Sequence, residues 1–76
     1  MIKIKDDEFQ YLCEFLYQTY GLNMRKKRVL VEYRLMNTLQ KYKVKSFHEY
    51  LHLVQSDKTL KMKEEMLNKL TTQLSQ

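Results

Sequence analysis

Residues 6–21, DDEFQYLCEFLYQTYG, decide the fold, because Phe9, Leu12, Cys13, Leu16 and Tyr20 recur at steps of three and four, the spacing of one helical face. Asp6, Asp7 and Glu8 open the segment, where negative charge suits the positive end of a helix dipole. Gly21 closes it as a left-handed cap. The spacing therefore predicts a helix from Asp6 to Tyr20 with both ends marked.

Outward from this helix, Leu22 and Met24 return to the core. A second helix is expected from about Lys26 to Tyr42, with Val31, Leu35, Leu39 and Tyr42 on one stripe and Leu30 and Tyr33 beside it. Ser46 and Glu49 form a capping box that starts a third helix, in which Phe47, Tyr50, Leu51 and Val54 face inward. Ser56 and Asp57 break it. A fourth helix follows from about Thr59 to Thr72, with Leu60, Met66, Leu67 and Leu70 apolar. One glycine and no proline leave few backbone breakers, which favours helices over strands joined by tight turns. The fold class is thus all-α, a compact bundle of four short helices.

Seventy-six residues suffice for one domain, and a chain of this length buries only about 60% of its unfolded surface. No repeat, linker or low-complexity tract divides residues 1–76. The lone Cys13 cannot form an internal disulfide and no secretory leader is evident, so a cytoplasmic setting is expected. No uncharged apolar run approaches the roughly 18 residues of a membrane span. A net charge of +5 favours an acidic partner, whether nucleic acid, an anionic membrane or a glutamate-rich protein surface, without choosing among them.

His48-Glu49-Tyr50-Leu51-His52 is a literal H-E-x-x-H, which on a helix can hold zinc between two imidazoles. The positions where the extended motif supplies a glycine and a third histidine are Gln55 and Lys58, and Glu49 is already used by the capping box. Two solvated histidines are the better account, and no metal is expected. The run Arg25-Lys26-Lys27-Arg28 opposes the dipole of the second helix at a few tenths of a kcal/mol per cation, roughly, which a binding role would offset. Arg34 and Lys41 extend the charge discontinuously. The aromatic residues fall at core spacing rather than between lysines, which disfavours nucleic acid as the partner. No nucleophile with its base, phosphate-cradling loop or carboxylate pair is present, so no catalytic residue is assigned.

Taken in order, the segment from Phe9 to Gly21-Leu22, KRVLVEYRL, KSFHEYLHLV and LNKLTTQLS resemble the N-terminal helical domain of CheR-type methyltransferases. The family pattern falls on Lys27, Arg34-Leu35, Ser46-Phe47 with Tyr50-Leu51, and Leu70-Thr71-Thr72. The resemblance implies transfer of a methyl group from S-adenosylmethionine to glutamates on the cytoplasmic helices of chemoreceptors. An attached α/β catalytic domain, beyond Gln76, would carry out that chemistry. It also implies that Lys27, Arg28, Arg34 and Lys41 face the receptor, and that Gln73 and Ser75 stand where the family contacts the cofactor through Asn and Thr.

Members of the enteric type carry further arginines where this chain has Asn37, Thr38 and Gln40. Lys43 replaces the usual glycine after the second helix, and a left-handed residue there would cost a lysine roughly 1 kcal/mol, so that helix is expected to end differently. A free-standing helical module that binds an acidic protein, a nucleotide or nucleic acid is the alternative reading.

Overall fold

The computed structural model describes residues 2–71. Within them the chain forms the expected all-α bundle: α1 Asp6–Tyr20, α2 Arg28–Lys41, α3 Phe47–Ser56 and α4 Lys61–Thr71. α4 lies against both α2 and α3, and α1 packs on α3. The core between them is built from Leu12, Cys13, Leu16, Val31, Leu35, Leu39, Phe47, Tyr50, Val54 and Met66. Ile4 and Met24 join it from outside the helices.

α1 has the expected limits, and Gly21 takes φ 69° while its amide donates to the Tyr17 carbonyl at 2.8 Å. At the start of α3 the Ser46 hydroxyl accepts the Glu49 amide at 3.1 Å. In return the Glu49 carboxylate accepts the Lys45 amide at 2.7 Å, one residue before the cap. Glu49 is thereby held at the helix terminus, where its charge is favourable.

The other boundaries shift by a residue or two for identifiable reasons. Met24 is buried, and the Lys27 amide donates to its carbonyl at 3.0 Å, so residues 25–26 turn and α2 starts at Arg28. The Asp57 carboxylate accepts the amides of Thr59 at 3.1 Å and Met62 at 2.9 Å and the Thr59 hydroxyl at 2.7 Å. That network delays α4 until Lys61 and leaves Leu60 at φ 66° and 51% exposed, not on the apolar face where the spacing put it. Tyr33, expected beside the core stripe, is 63% exposed.

α2 does end in a left-handed residue. Lys43 has φ 57°, with its amide bonded to the Gln40 carbonyl at 3.1 Å and the Val44 amide to that of Leu39 at 3.2 Å. Burial of Val44 beside Leu39 in the core offsets the strain that argued against this geometry. Lys43→Gly is therefore expected to stabilise the domain by up to about 0.5 kcal/mol in a denaturant titration, the αL penalty less the extra chain entropy of glycine.

Two carboxylates are buried, and both bind backbone amides. Glu32 of α2 accepts the Ile4 amide at 2.7 Å, fixing the arm that precedes α1. Glu8 accepts the Lys5 amide at 2.8 Å with one oxygen and the His48 amide at 3.0 Å with the other, tying the start of α1 to the start of α3. No helix among the described residues is long and apolar enough to cross a membrane.

Candidate functional site

The basic run sits on the turn between α1 and α2. Buried Met24 anchors this turn, and the Asn23 side chain accepts the Arg25 amide at 3.1 Å, so Arg25, Lys26 and Lys27 project into solvent. With Arg28, Val29 and Leu30 they line a shallow, open depression. No acidic residue and no side-chain cap occupies the first turn of α2, so the positive end of the helix dipole adds to these cations. An anionic group approaching here meets both.

Arg28 is partly committed within the chain. Its guanidinium bonds the Asp6 carboxylate at 2.5 Å and the Ile4 carbonyl, and it stacks over the Phe9 ring at 5.6 Å from the centroid. The Asp6 side chain is almost fully exposed, so this ion pair is worth at most about 1 kcal/mol and an external carboxylate can replace it.

Arg34 and Lys41 lie elsewhere. With buried Thr38 they form a line on α2 that faces α4, about two-fifths of a turn round the helix from Val29. Arg34 donates to the Lys69 carbonyl at 3.1 Å, placing positive charge at the negative end of α4. Lys41 bonds Glu65 at 2.9 Å, and the Tyr42 hydroxyl donates to the same carboxylate at 2.6 Å. Because the later α2 residue meets the earlier α4 residue, the two helices run antiparallel. The structure thus brings Lys27 and Arg28 together and sets Arg34 and Lys41 along the α2–α4 contact, where the Lys41 side chain is still 62% exposed. Gln73 and Ser75 lie outside the described residues.

The hydrogen bond from Tyr42, followed by that from Lys41, holds the Glu65 carboxyl below its ordinary value of 4.5. The same Glu65 bond raises the Tyr42 and Lys41 pKa values. A depressed carboxylate contributes stability that is present above its unfolded pKa and lost as pH falls through its folded one. Stability is therefore expected to decline below about pH 4.5, and Glu65→Gln should flatten that part of the profile in thermal melts taken across pH.

The H-E-x-x-H segment borders a groove of about 460 Å³ between α1 and α3, lined by Asp7, Glu8, Tyr11, His48, Leu51, His52 and Gln55. Both histidines are exposed. Among the described residues no group of three or more His, Cys, Asp or Glu side chains is arranged to hold a metal ion. Cys13 is buried, and burial pushes its thiol pKa up against the smaller opposing effect of Arg25, so it is a packing residue.

Sequence reasoning singled out the run Arg25-Lys26-Lys27-Arg28 but missed that Arg28 is bonded by Asp6 and Ile4 while Arg25, Lys26 and Lys27 stay exposed. Missed as well was the exposure of Val29 at 77% and of Tyr33. No local signal distinguishes them, since α2 carries apolar residues on more than one face.

The family model described as the CheR methyltransferase all-alpha domain matches residues 7–71. The chain is 31% identical over 72 residues to a chemotaxis protein methyltransferase of Borreliella burgdorferi, a match covering 93% of this chain and 25% of the relative. The chain thus spans about a quarter of the length of that curated relative. No solved structure matches it. On the family match, carried by nearly the whole of the four-helix core, the chain belongs to the CheR methyltransferase all-alpha domain family.

Proposed function

We propose that this chain is the substrate-recognition domain of a cytoplasmic, S-adenosylmethionine-dependent methyltransferase that modifies glutamates on chemoreceptor helices. The observation that carries the proposal is the exposed cluster Arg25, Lys26 and Lys27 at the dipole-positive start of α2. It supplies long-range attraction and orientation for an acidic helix. Arg28 joins it when an incoming carboxylate replaces Asp6. Arg34 and Lys41, which the resemblance assigns to the same surface, act by holding α2 against α4. Of the three positions where enteric-type members carry further arginines, Thr38 is buried, while Asn37 and Gln40 are exposed and uncharged here.

The attached catalytic domain supplies methyl transfer from S-adenosylmethionine, and Gln73 and Ser75 are proposed to touch that cofactor from the segment after α4. Family membership and the relative's name support this assignment.

The test is calorimetric titration of the domain with a glutamate-bearing chemoreceptor helix peptide. Reversing Arg25, Lys26 and Lys27 together to glutamate should weaken binding about 10- to 100-fold, since each rim charge contributes on the order of 0.5–1 kcal/mol. Unchanged affinity would overturn the proposal. Binding to nucleic acid instead would lose about one log unit per log of salt for each phosphate contacted, and tight, steeply salt-dependent binding of that kind would favour the module reading.

A further inference from the structure

α2 carries two apolar stripes, and the bundle uses only one of them. Val31, Leu35 and Leu39 are buried in the core. On the other side, Val29, Tyr33, Met36 and Gln40 follow steps of four, three and four, which on a 3.6-residue helix confines them to an arc of about 60°. Val29 and Tyr33 are 77% and 63% exposed, so the stripe is open to solvent over its first turn, and half-buried Met36 continues it to the edge of the small cavity beside Leu39 and Phe47. Isolated exposed apolar residues are ordinary, but three at the 4-3 spacing of a helix-packing seam match the way one helix lies along another. Basic residues crowd one end of the seam, at Arg25 to Lys27, while its far half is neutral, at Asn37 and Gln40.

We infer that Val29, Tyr33 and Met36 form an apolar docking seam for an α-helix of the partner, one that presents apolar residues at matching steps and carboxylates toward the Arg25–Lys27 end. This rests on the recognition function proposed above and deepens it: the cations attract and orient the helix, and the seam holds it. Pairing this stripe with the same stripe of a second copy would set the three cations against either its neutral Asn37 and Gln40 half or their own counterparts. An acidic helix satisfies both stripe and cations. Such a seam confers a binding component that salt does not screen, because burial of apolar area is insensitive to the Debye length. It also selects against acidic segments that cannot form a helix.

The experiment compares two variants of the full 76-residue chain, Val29→Ser/Tyr33→Ser and Arg25→Glu/Lys26→Glu/Lys27→Glu. Each is titrated with an alanine-based helical peptide carrying leucines at steps of four and three with glutamates alongside, and with its leucine-to-serine counterpart, in low and high salt. All five positions are exposed, so thermal midpoints near that of the parent verify that both variants fold. The serine pair is expected to weaken binding of the leucine peptide about tenfold or more at both salt levels and leave the weak binding of the serine peptide unchanged. The charge-reversed variant is expected to lose the salt-sensitive part.

If the serine pair binds like the parent while charge reversal weakens binding, the seam is overturned and the recognition function stands. If neither variant loses affinity, that function fails with it. Sedimentation that finds a parent dimer abolished by the serine pair would assign the seam to a second copy and overturn the inference.

Discussion

Glu8→Ala is expected to destabilise the domain by about 2–4 kcal/mol, although Glu8 is a charged residue in a run of acidic ones. Only 8% of it is exposed, and its two oxygens accept the amides of Lys5 and His48, at the starts of two different helices. Those amides belong to the donors that helix starts leave without intrahelical partners, and the carboxylate also opposes both helix dipoles favourably. Truncation leaves both amides unsatisfied at about 1–3 kcal/mol each, reduced where water reaches exposed Lys5. A chain of this size has roughly 4–11 kcal/mol in total. Thermal unfolding by circular dichroism should therefore show a midpoint lowered by about 10–30 °C. Glu8→Gln, which keeps the shape and one good acceptor, should lose about half as much. A fall below about 1 kcal/mol for the alanine variant would mean that Glu8 does not bridge the two helices.

Phe47→Ala should be at least as damaging, at about 3–5 kcal/mol, with denaturant midpoints as the readout. Phe47 is the first residue of α3, directly after its Ser46 cap, and is almost completely buried. A small cavity of about 140 Å³ lined by Ile2, Met36, Leu39 and Gln40 already adjoins it, so truncation enlarges a void rather than permitting full collapse. Tyr33→Ala is the matched control. Its ring stands in solvent, and the change is expected to stay within about 0.5 kcal/mol. Equal losses at the two positions would contradict the division of aromatic residues between core and surface.

That division marks the limit of what periodicity reveals. α1 was legible in its limits, because its ends carry an acidic first turn and a glycine, and in its buried Leu12, Cys13 and Leu16, but Tyr20, which the spacing set on the same face, is 39% exposed. α3 was legible for the same reason, with Ser46 as its cap and Phe47, Tyr50, Leu51 and Val54 all buried. α2 was legible as a helix and in its core stripe, since Val31, Leu35 and Leu39 are buried as the spacing required. Tyr33, set beside that stripe, stands outside instead, because Val29, Tyr33 and Met36 make a second apolar face that periodicity does not rank against the first. The start of α4 was displaced by a local side-chain network at Asp57, which competes with the helix for the amides of Thr59 and Met62.

The candidate site was legible in its charge and not in its arrangement. Arg25 to Arg28 are visible as a run, but which of them stay exposed depends on Asp6, which lies 22 positions before Arg28 and takes its guanidinium. Arg34 and Lys41 read as a discontinuous extension of that charge, and the sequence does not reveal that Lys69 and Glu65 lie opposite them on α4. Buried Glu8 and Glu32 were unforeseen, as their partners are backbone amides distant in the chain or outside the helices.

The central claim is that the basic start of α2 meets an acidic helix. Its most direct test is amide chemical-shift mapping of the isotopically labelled domain during titration with a glutamate-bearing chemoreceptor helix peptide. The largest shifts are expected at Arg25, Lys26, Lys27 and Arg28 and to continue through Val29 and Tyr33, with a smaller change at Asp6 as Arg28 releases it. Shifts confined to the groove of Asp7, Tyr11, His48 and His52, or absent at saturating peptide, would contradict it.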